Sequence, residues 1–207
     1  MTSLLWTAIG FLLGSLPLSL WLGRLALHTD IRRYGDGNPG GTNVIRAGNR
    51  PLGVLAIALD MLKGALPVAL AHYVIGVTRW ELVPVMLAPI LGHAFSPFLG
   101  FRGGKALAST FGVWTAISVP FGPFVMGGAV LLFHKLLSSS GWAVMASLLV
   151  LLGFVQTPAV GAFSPGLSAP GIRLPLAVAW LGTVAILVWT HRSDLRRRPR
   201  WRAGSGR

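Results

Sequence analysis

An all-α integral membrane protein of about seven transmembrane helices, some of them short, is the fold class this sequence predicts. Three observations carry that reading. The chain has 207 residues, 53% of them hydrophobic and only 11% charged, where soluble domains carry about a quarter charged. Long apolar stretches recur along it, separated by short connections rich in glycine, arginine and lysine. The basic residues also fall in connections that an alternating path places on one side of a bilayer.

A spanning helix needs roughly 20 apolar residues, and shorter pieces re-enter or thin the bilayer. Residues 4–27 and 52–77 are long enough. Residues 83–99 are fewer and are punctuated by Pro84, Pro89 and Pro97. Residues 106–133 read either as one long helix or as two short ones broken at "VPFGP", residues 119–123. Residues 142–163 and 174–190 complete the set. Charge selects the broken version. With a turn at 120–123, four basic segments share a face: the 28–51 loop, the Arg102–Lys105 turn, the Lys135 connection and the arginine-rich tail. The other face keeps Arg79, Arg173 and Glu81. The expected topology therefore has the N-terminus outside and the C-terminus cytoplasmic. Residues 1–195 form one polytopic membrane domain, and residues 196–207 a basic cytoplasmic tail. The first segment has no basic residue before Arg24 and no A-x-A site, so it is expected to be a retained helix. No internal repeat is evident.

The formal charge is +13, from 18 Lys and Arg against 5 Asp and Glu. In a chain largely within lipid, that excess reflects topology and anionic partners, and no nucleic acid is expected as a partner. With no cysteine, disulfides, a thiolate nucleophile and Cys-ligated metals are excluded. No metal and no cofactor are expected.

The polar chemistry concentrates on the cytoplasmic side. In "GDGNPGGTN", residues 35–43, glycines allow successive backbone amides to face one concavity, a nest suited to phosphate. Asn38, Thr42 and Asn43 add side-chain donors, and Arg46 falls on the face of Asn43 if a helix starts there. An ordinary polar turn has a similar composition. "GFRGGKALAST", residues 100–110, places Gly103, Gly104 and Lys105 where an apolar helix opens, at its positive dipole end. It lacks the spacing of a nucleotide-binding P-loop, and its bland reading is a positive-inside turn with snorkelling bases. Asp60 and Lys63 lie one turn apart within an apolar helix and are read as a structural ion pair in preference to a catalytic one. His93 lies within ten residues of Gly103 and is either a packing residue or a base. Lys135 and Ser138 come from the next cytoplasmic turn. His191 and Arg192 end the last helix, where cations suit the negative dipole end. The arginines that follow read as an anionic-lipid contact. His28, His72 and His134 receive no role.

Taken in order, these motifs resemble the bacterial membrane acyl-phosphate:glycerol-3-phosphate acyltransferases. "GSLPLSLWLGRL" resembles that family's opening helix, "DIRRYGDGNPGGTNVIR" its first motif, "DMLKG" its second, and "GHAFSPFLGFRGGKALAST" its central signature. "KLLSSSG" resembles its arginine–serine turn and "THRSDLRR" its closing motif. The resemblance implies a seven-helix protein of the bacterial cytoplasmic membrane, with membrane lipids around it. It implies transfer of a fatty acyl group from acyl phosphate to the 1-hydroxyl of glycerol 3-phosphate, giving lysophosphatidate, with a phosphate acyltransferase supplying the donor. By residue, it implies phosphate binding by Asn38, Thr42, Asn43 and Arg46, and a central site of His93, Gly103, Gly104 and Lys105. Lys105 would be the main electrostatic stabiliser, and Ser138, His191 and Arg192 supporting positions. No cysteine and no G-x-S-x-G elbow offers a covalent nucleophile, so direct attack by the substrate hydroxyl is expected, its proton passing to phosphate or His93.

Four positions depart from the family pattern. Asp36 stands in place of a small hydroxyl, Asp194 of asparagine, Lys135 of arginine and Ala106 of glycine. The added carboxylates weaken an anion site unless they turn away or pair with Arg32, Arg33 or Arg196. A small membrane transporter or lipid-binding protein using the same basic loops is the rival reading, disfavoured by the missing repeat symmetry.

Overall fold

The computed structural model describes residues 1–157, 161, 164, 167–168 and 170–201. Ten α-helices are present among them: α1 (Thr2–Ser15), α2 (Leu18–Leu27), α3 (Gly41–Arg46), α4 (Arg50–Ala69), α5 (Arg79–Ala94), α6 (Leu107–Ser118), α7 (Gly122–Leu136), α8 (Ser140–Gln156), α9 (Arg173–Thr190) and α10 (Arg192–Leu195). No strand occurs among the described residues beyond an isolated bridge between Leu137 and Trp201. Four stretches are long and apolar enough to cross a membrane: Thr2–Leu27, Arg50–Val74, Arg79–Leu99 and Arg173–Thr190. Helices α6, α7 and α8 are shorter and equally apolar. The protein is all-α and membrane-integral.

Several sequence expectations are refined. Residues 106–133 do break, with Val119 extended between α6 and α7. Helix α4 gives way to a π-helical turn at Leu70–Val74, and α5 begins at Arg79 and carries Pro84 and Pro89 in its interior. The expected 142–163 segment is helical to Gln156; positions 158–160, 162 and 163 lie outside the described residues.

The expected single helix over 4–27 is interrupted at Leu16–Pro17. Proline has no N–H to continue the ladder, so the break releases a carbonyl within the membrane-embedded body. Leu16 O accepts from Leu18 N at 2.9 Å and also from α4, where Lys63 Nζ donates to it at 2.6 Å. Lys63 also meets Asp60 at 2.8 Å, both side chains buried, and Ser19 Oγ donates to Asp60 Oδ2 at 2.5 Å. The pair thus bolts α4 to the α1–α2 break and supplies the Leu16 carbonyl with a side-chain donor, as a low-dielectric setting favours.

Close helix contacts set the rest of the frame. Helix α1 packs chiefly on α5, and α4 on α6. A Cβ at Gly112 would strike the carbonyl oxygen of Met61, and one at Gly64 that of Ser109. Small residues permit such backbone approach between membrane helices. The approach brings Ser109 Oγ within 3.0 Å of the Asp60 carbonyl oxygen. The larger core cluster, including Trp114, Leu148, Leu151 and Leu187, fills the space between α5, α6, α8 and α9.

Candidate active site

The 35–43 loop folds on itself. Gly35 and Gly37 have φ of +57° and +72°, a region open chiefly to glycine. Several of the loop's amides are spent internally: Gly37 N donates to Tyr34 O, Gly40 N to Asn38 O, and Asn38 N to Asp36 Oδ1 at 3.3 Å. The amides left for a ligand are those at the start of α3, where Gly41 and Thr42 border the apolar cavity. Asn43 is buried behind the loop, its Nδ2 donating to Asn38 O at 2.8 Å and Asp36 Oδ1 at 3.1 Å. Arg46 donates to Asn43 Oδ1 at 3.0 Å, which places both on one face of α3 as the spacing implied.

The glycines of the central turn behave likewise. Gly103 N donates to Ala94 O and Gly104 N to His93 O, so both amides close the turn against the end of α5 and are unavailable to an anion. What the pair supplies is proximity: a Cβ on Gly104 would collide with His93 Nε2 and lie 3.1 Å from Asn38 Oδ1. The positive helix end falls further along. Helix α6 starts at Leu107 without a side-chain cap, after Ala106 in the left-handed region. The first-turn N–H groups of a helix have no intrahelical partner, and these lie at the edge of an apolar cavity.

Lys105 is fixed by its backbone from two directions. Its amide donates to Asn38 Oδ1 at 2.9 Å, and its carbonyl accepts from Thr190 Oγ1 at 3.1 Å. Its ammonium lies between two carboxylates, Asp36 at 2.9 Å and Asp194 at 2.8 Å. Arg46 approaches Asp36 at 3.6 Å, while Arg32 is engaged by Asp30 at 2.6 Å. The added carboxylates are thus paired with Lys105 itself and not with Arg32, Arg33 or Arg196. Burial works against the charge of all three groups, but their mutual hydrogen bonds prevail. Lys105 titrates above an ordinary lysine, and Asp36 and Asp194 below ordinary aspartates.

Two cavities meet at this lysine. A polar cavity of about 710 Å³ is lined by Asp36, Asn38, Arg102, Gly103, Gly104, Lys105 and Arg192 among others. A largely apolar one of about 580 Å³ runs between α4, α6 and α7 past Met61, Leu107, Phe111, Val130 and Leu131. Asn38 and Lys105 line both. Thr42 and His93 border the apolar cavity. Arg192 is exposed, stacked over Trp189 at 4.8 Å with its Nη1 on Trp189 O at 2.7 Å.

His93 is buried at the inner end of this junction. Its Nδ1 lies 3.1 Å from Ser109 Oγ. The single proton of that hydroxyl is directed to the Asp60 carbonyl, so the imidazole supplies the proton of the 3.1 Å contact from Nδ1. Nε2 is then left as an acceptor toward Gly104. Ser109 was not singled out in the sequence, because a serine inside an apolar helix carries no signal of its own.

Four of the sequence-selected residues line neither cavity: Asn43 and Arg46, behind the 35–43 loop, and His191 and Ser138. His191 is buried, with Nδ1 3.0 Å from Leu187 O, and burial holds its pKa below that of an ordinary histidine. Ser138 lines a separate pocket with Asp194 and the tail arginines.

A polar cavity lined by cations and a largely apolar one thus meet at Lys105 inside a helical membrane body. The family model described as "Glycerol-3-phosphate acyltransferase" matches residues 4–200. The chain belongs to that family. It is 33% identical over 203 residues to the glycerol-3-phosphate acyltransferase of Anaeromyxobacter dehalogenans, covering 92% of this chain and 90% of that one. Among solved structures it is similar to PlsY (YgiH), an integral membrane glycerol 3-phosphate acyltransferase. With the glycerol 3-phosphate form the TM-score is 0.78 at 28% identity, covering 95% of this chain and 92% of that one. With the lysophosphatidic acid form it is 0.74 at 27%, covering 95% and 91%.

Proposed function

We propose that this protein transfers a fatty acyl group from acyl phosphate to the 1-hydroxyl of glycerol 3-phosphate, releasing lysophosphatidate and inorganic phosphate for phospholipid synthesis. The observation that carries the proposal is the junction of the polar and apolar cavities at Asn38 and Lys105. Glycerol 3-phosphate enters the polar cavity, where Arg102, Lys105 and Arg192 offer cations. The acyl chain lies in the apolar cavity, with its phosphate at Lys105. The acceptor oxygen attacks the acyl carbonyl carbon, the bond from that carbon to the phosphate oxygen breaks, and the departing phosphate leaves with the electron pair. The hydroxyl proton passes to His93 Nε2 or to that phosphate. A mixed anhydride is already activated, so positioning and charge stabilisation supply the acceleration. Lys105 exchanges a carboxylate partner for a phosphate oxygen on binding, while Asn38 holds the lysine's backbone between the two substrates. Thr42 and the α6 amides border the donor phosphate. Gly104 keeps space for His93, and Asn43 and Arg46 brace the loop from behind.

Purified protein in detergent, given glycerol 3-phosphate with acyl phosphate, acyl-CoA or acyl carrier protein in parallel, tests this. Lysophosphatidate should form from acyl phosphate without any gradient, which a transporter would not do. Product from a thioester alone would overturn the donor assignment.

Orientation follows the charge argument: N-terminus outside, C-terminus and the catalytic loops cytoplasmic, in the bacterial cell membrane. Reporter fusions at Ser138 and at the C-terminus should both read cytoplasmic. A periplasmic signal from either breaks the shared site.

Asp36 gives a quantitative check on how phosphate is received. Its carboxylate competes with phosphate for Lys105 and adds a like charge to the cavity. The side chain is 41% exposed, so the water-like end of the Coulomb range applies, about 1 kcal/mol. Asp36→Ser is therefore expected to lower the KM for glycerol 3-phosphate by roughly fivefold. A higher KM in steady-state assays would mean that Asp36 instead holds an acceptor hydroxyl.

A further inference from the structure

Ser109 stands in the first turn of α6, wholly buried, where α4 and α5 both reach it. A buried helical serine commonly spends its proton on its own helix. Ser15, Ser118 and Ser147 do so, each donating to the carbonyl four residues back, on Phe11, Trp114 and Ala143. Ser109 does not. Its Oγ donates across to the Asp60 carbonyl of α4 at 3.0 Å. The imidazole of His93, in the last turn of α5, meets the same oxygen through Nδ1 at 3.1 Å. Close backbone approach makes this reach possible, since a Cβ on Gly64 of α4 would strike the carbonyl of Ser109.

We propose, on the acyl-transfer reading of this site, that Ser109 is a positioning residue: it fixes the tautomer of His93, so that Nε2 offers its lone pair to the acceptor hydroxyl. The Asp60 carbonyl can only accept, so it takes the single serine proton and leaves the oxygen lone pairs for Nδ1–H. The opposite nitrogen faces the junction of the cavities. A Cβ on Gly104 would run into Nε2 and stand 3.1 Å from Asn38 Oδ1, and His93 borders the cavity that Asn38 and Lys105 line. An imidazole that receives a proton must present a bare nitrogen, and the bond made by its other nitrogen decides which one is bare. Asp60 Oδ1 is the rival orienting group. It lies 4.0 Å from Nδ1, beyond hydrogen-bond distance, and is engaged by Lys63 at 2.8 Å.

Nitrogen-15 NMR of histidine-labelled protein in detergent, without substrate, reads the tautomer directly. The His93 signals are assigned by their loss in His93→Gln. The wild type should show Nδ1 protonated and Nε2 bare. Ser109→Ala should populate the reverse tautomer, whereas Ser109→Thr, which keeps the hydroxyl, should not. In steady-state assays with acyl phosphate, Ser109→Ala should lower kcat roughly tenfold and leave the KM for glycerol 3-phosphate within about twofold. Ser109→Thr should keep most of the turnover. A purely structural serine would change thermal unfolding and leave the tautomer as it was. Nε2 protonated in the wild type would overturn the proposal, and an unchanged tautomer in Ser109→Ala would pass the orienting role to Asp60. A reversed tautomer with full kcat, or a raised KM alone, would overturn the part of Ser109 in the transfer. Absence of lysophosphatidate from acyl phosphate would instead fail the functional reading, which the substrate-free spectrum does not depend on.

Discussion

Lys105→Ala is expected to lower turnover about a hundredfold while the protein remains folded in the membrane. A donor aimed at charge on a transferring group is commonly worth ~3 kcal/mol. Here the loss has a second component. Asp36 and Asp194 both face the lysine ammonium, and without it two carboxylates confront the incoming phosphate with no cation between them. The fold has little reason to respond, because the contacts fixing this residue run through its amide and carbonyl, which alanine keeps. Lysophosphatidate formation by purified variant, matched with its thermal unfolding, is the measurement. Undiminished turnover in folded protein would show that the lysine does not meet the transferring phosphate.

Lys63→Met should destabilise the protein by about 3–5 kcal/mol, the range found when one partner of a buried pair is removed. The side chains of Lys63 and Asp60 are 4% and 2% exposed, and the Leu16 carbonyl loses one of its two donors at the same time, keeping Leu18 N. Asp60→Asn combined with Lys63→Met should recover much of that loss, since no uncompensated charge remains. Thermal unfolding in detergent separates the cases. A single variant as stable as the wild type would refute the structural reading of the pair, and turnover retained by the double variant would assign it to the scaffold.

The apolar segments were legible in the sequence because lipid burial imposes length and composition on each helix separately. The break at residues 119–121 was legible through charge, although hydropathy alone permits one long helix. Pro17 sat in plain view inside "GSLPLSL", yet its consequence was not readable, because Lys63, the side chain that binds the Leu16 carbonyl, lies on another helix. The same limit applies at the site. Glycine-rich loops pointed to the place where a polar cavity opens, but not to where their amides point, and those of Gly103 and Gly104 close onto the end of α5. Asp36 and Asp194 stood out as unusual, yet their convergence on Lys105 is a tertiary fact spanning most of the chain. His191 sat beside Arg192 in a basic motif, and only packing shows that one is buried against α9 while the other faces water.

The shared wall at Asn38 and Lys105 has a kinetic consequence. In the proposed reaction the two substrates arrive from different phases, one from water through the polar cavity and one laterally from the bilayer. Their concentrations are then measured in different units. The rate should follow the molarity of glycerol 3-phosphate but the mole fraction of donor within the lipid, so adding inert lipid at constant total donor should slow the enzyme by surface dilution. The product, keeping its chain in the apolar cavity, would leave sideways into the leaflet in which it is next used, and would not pass through the aqueous phase.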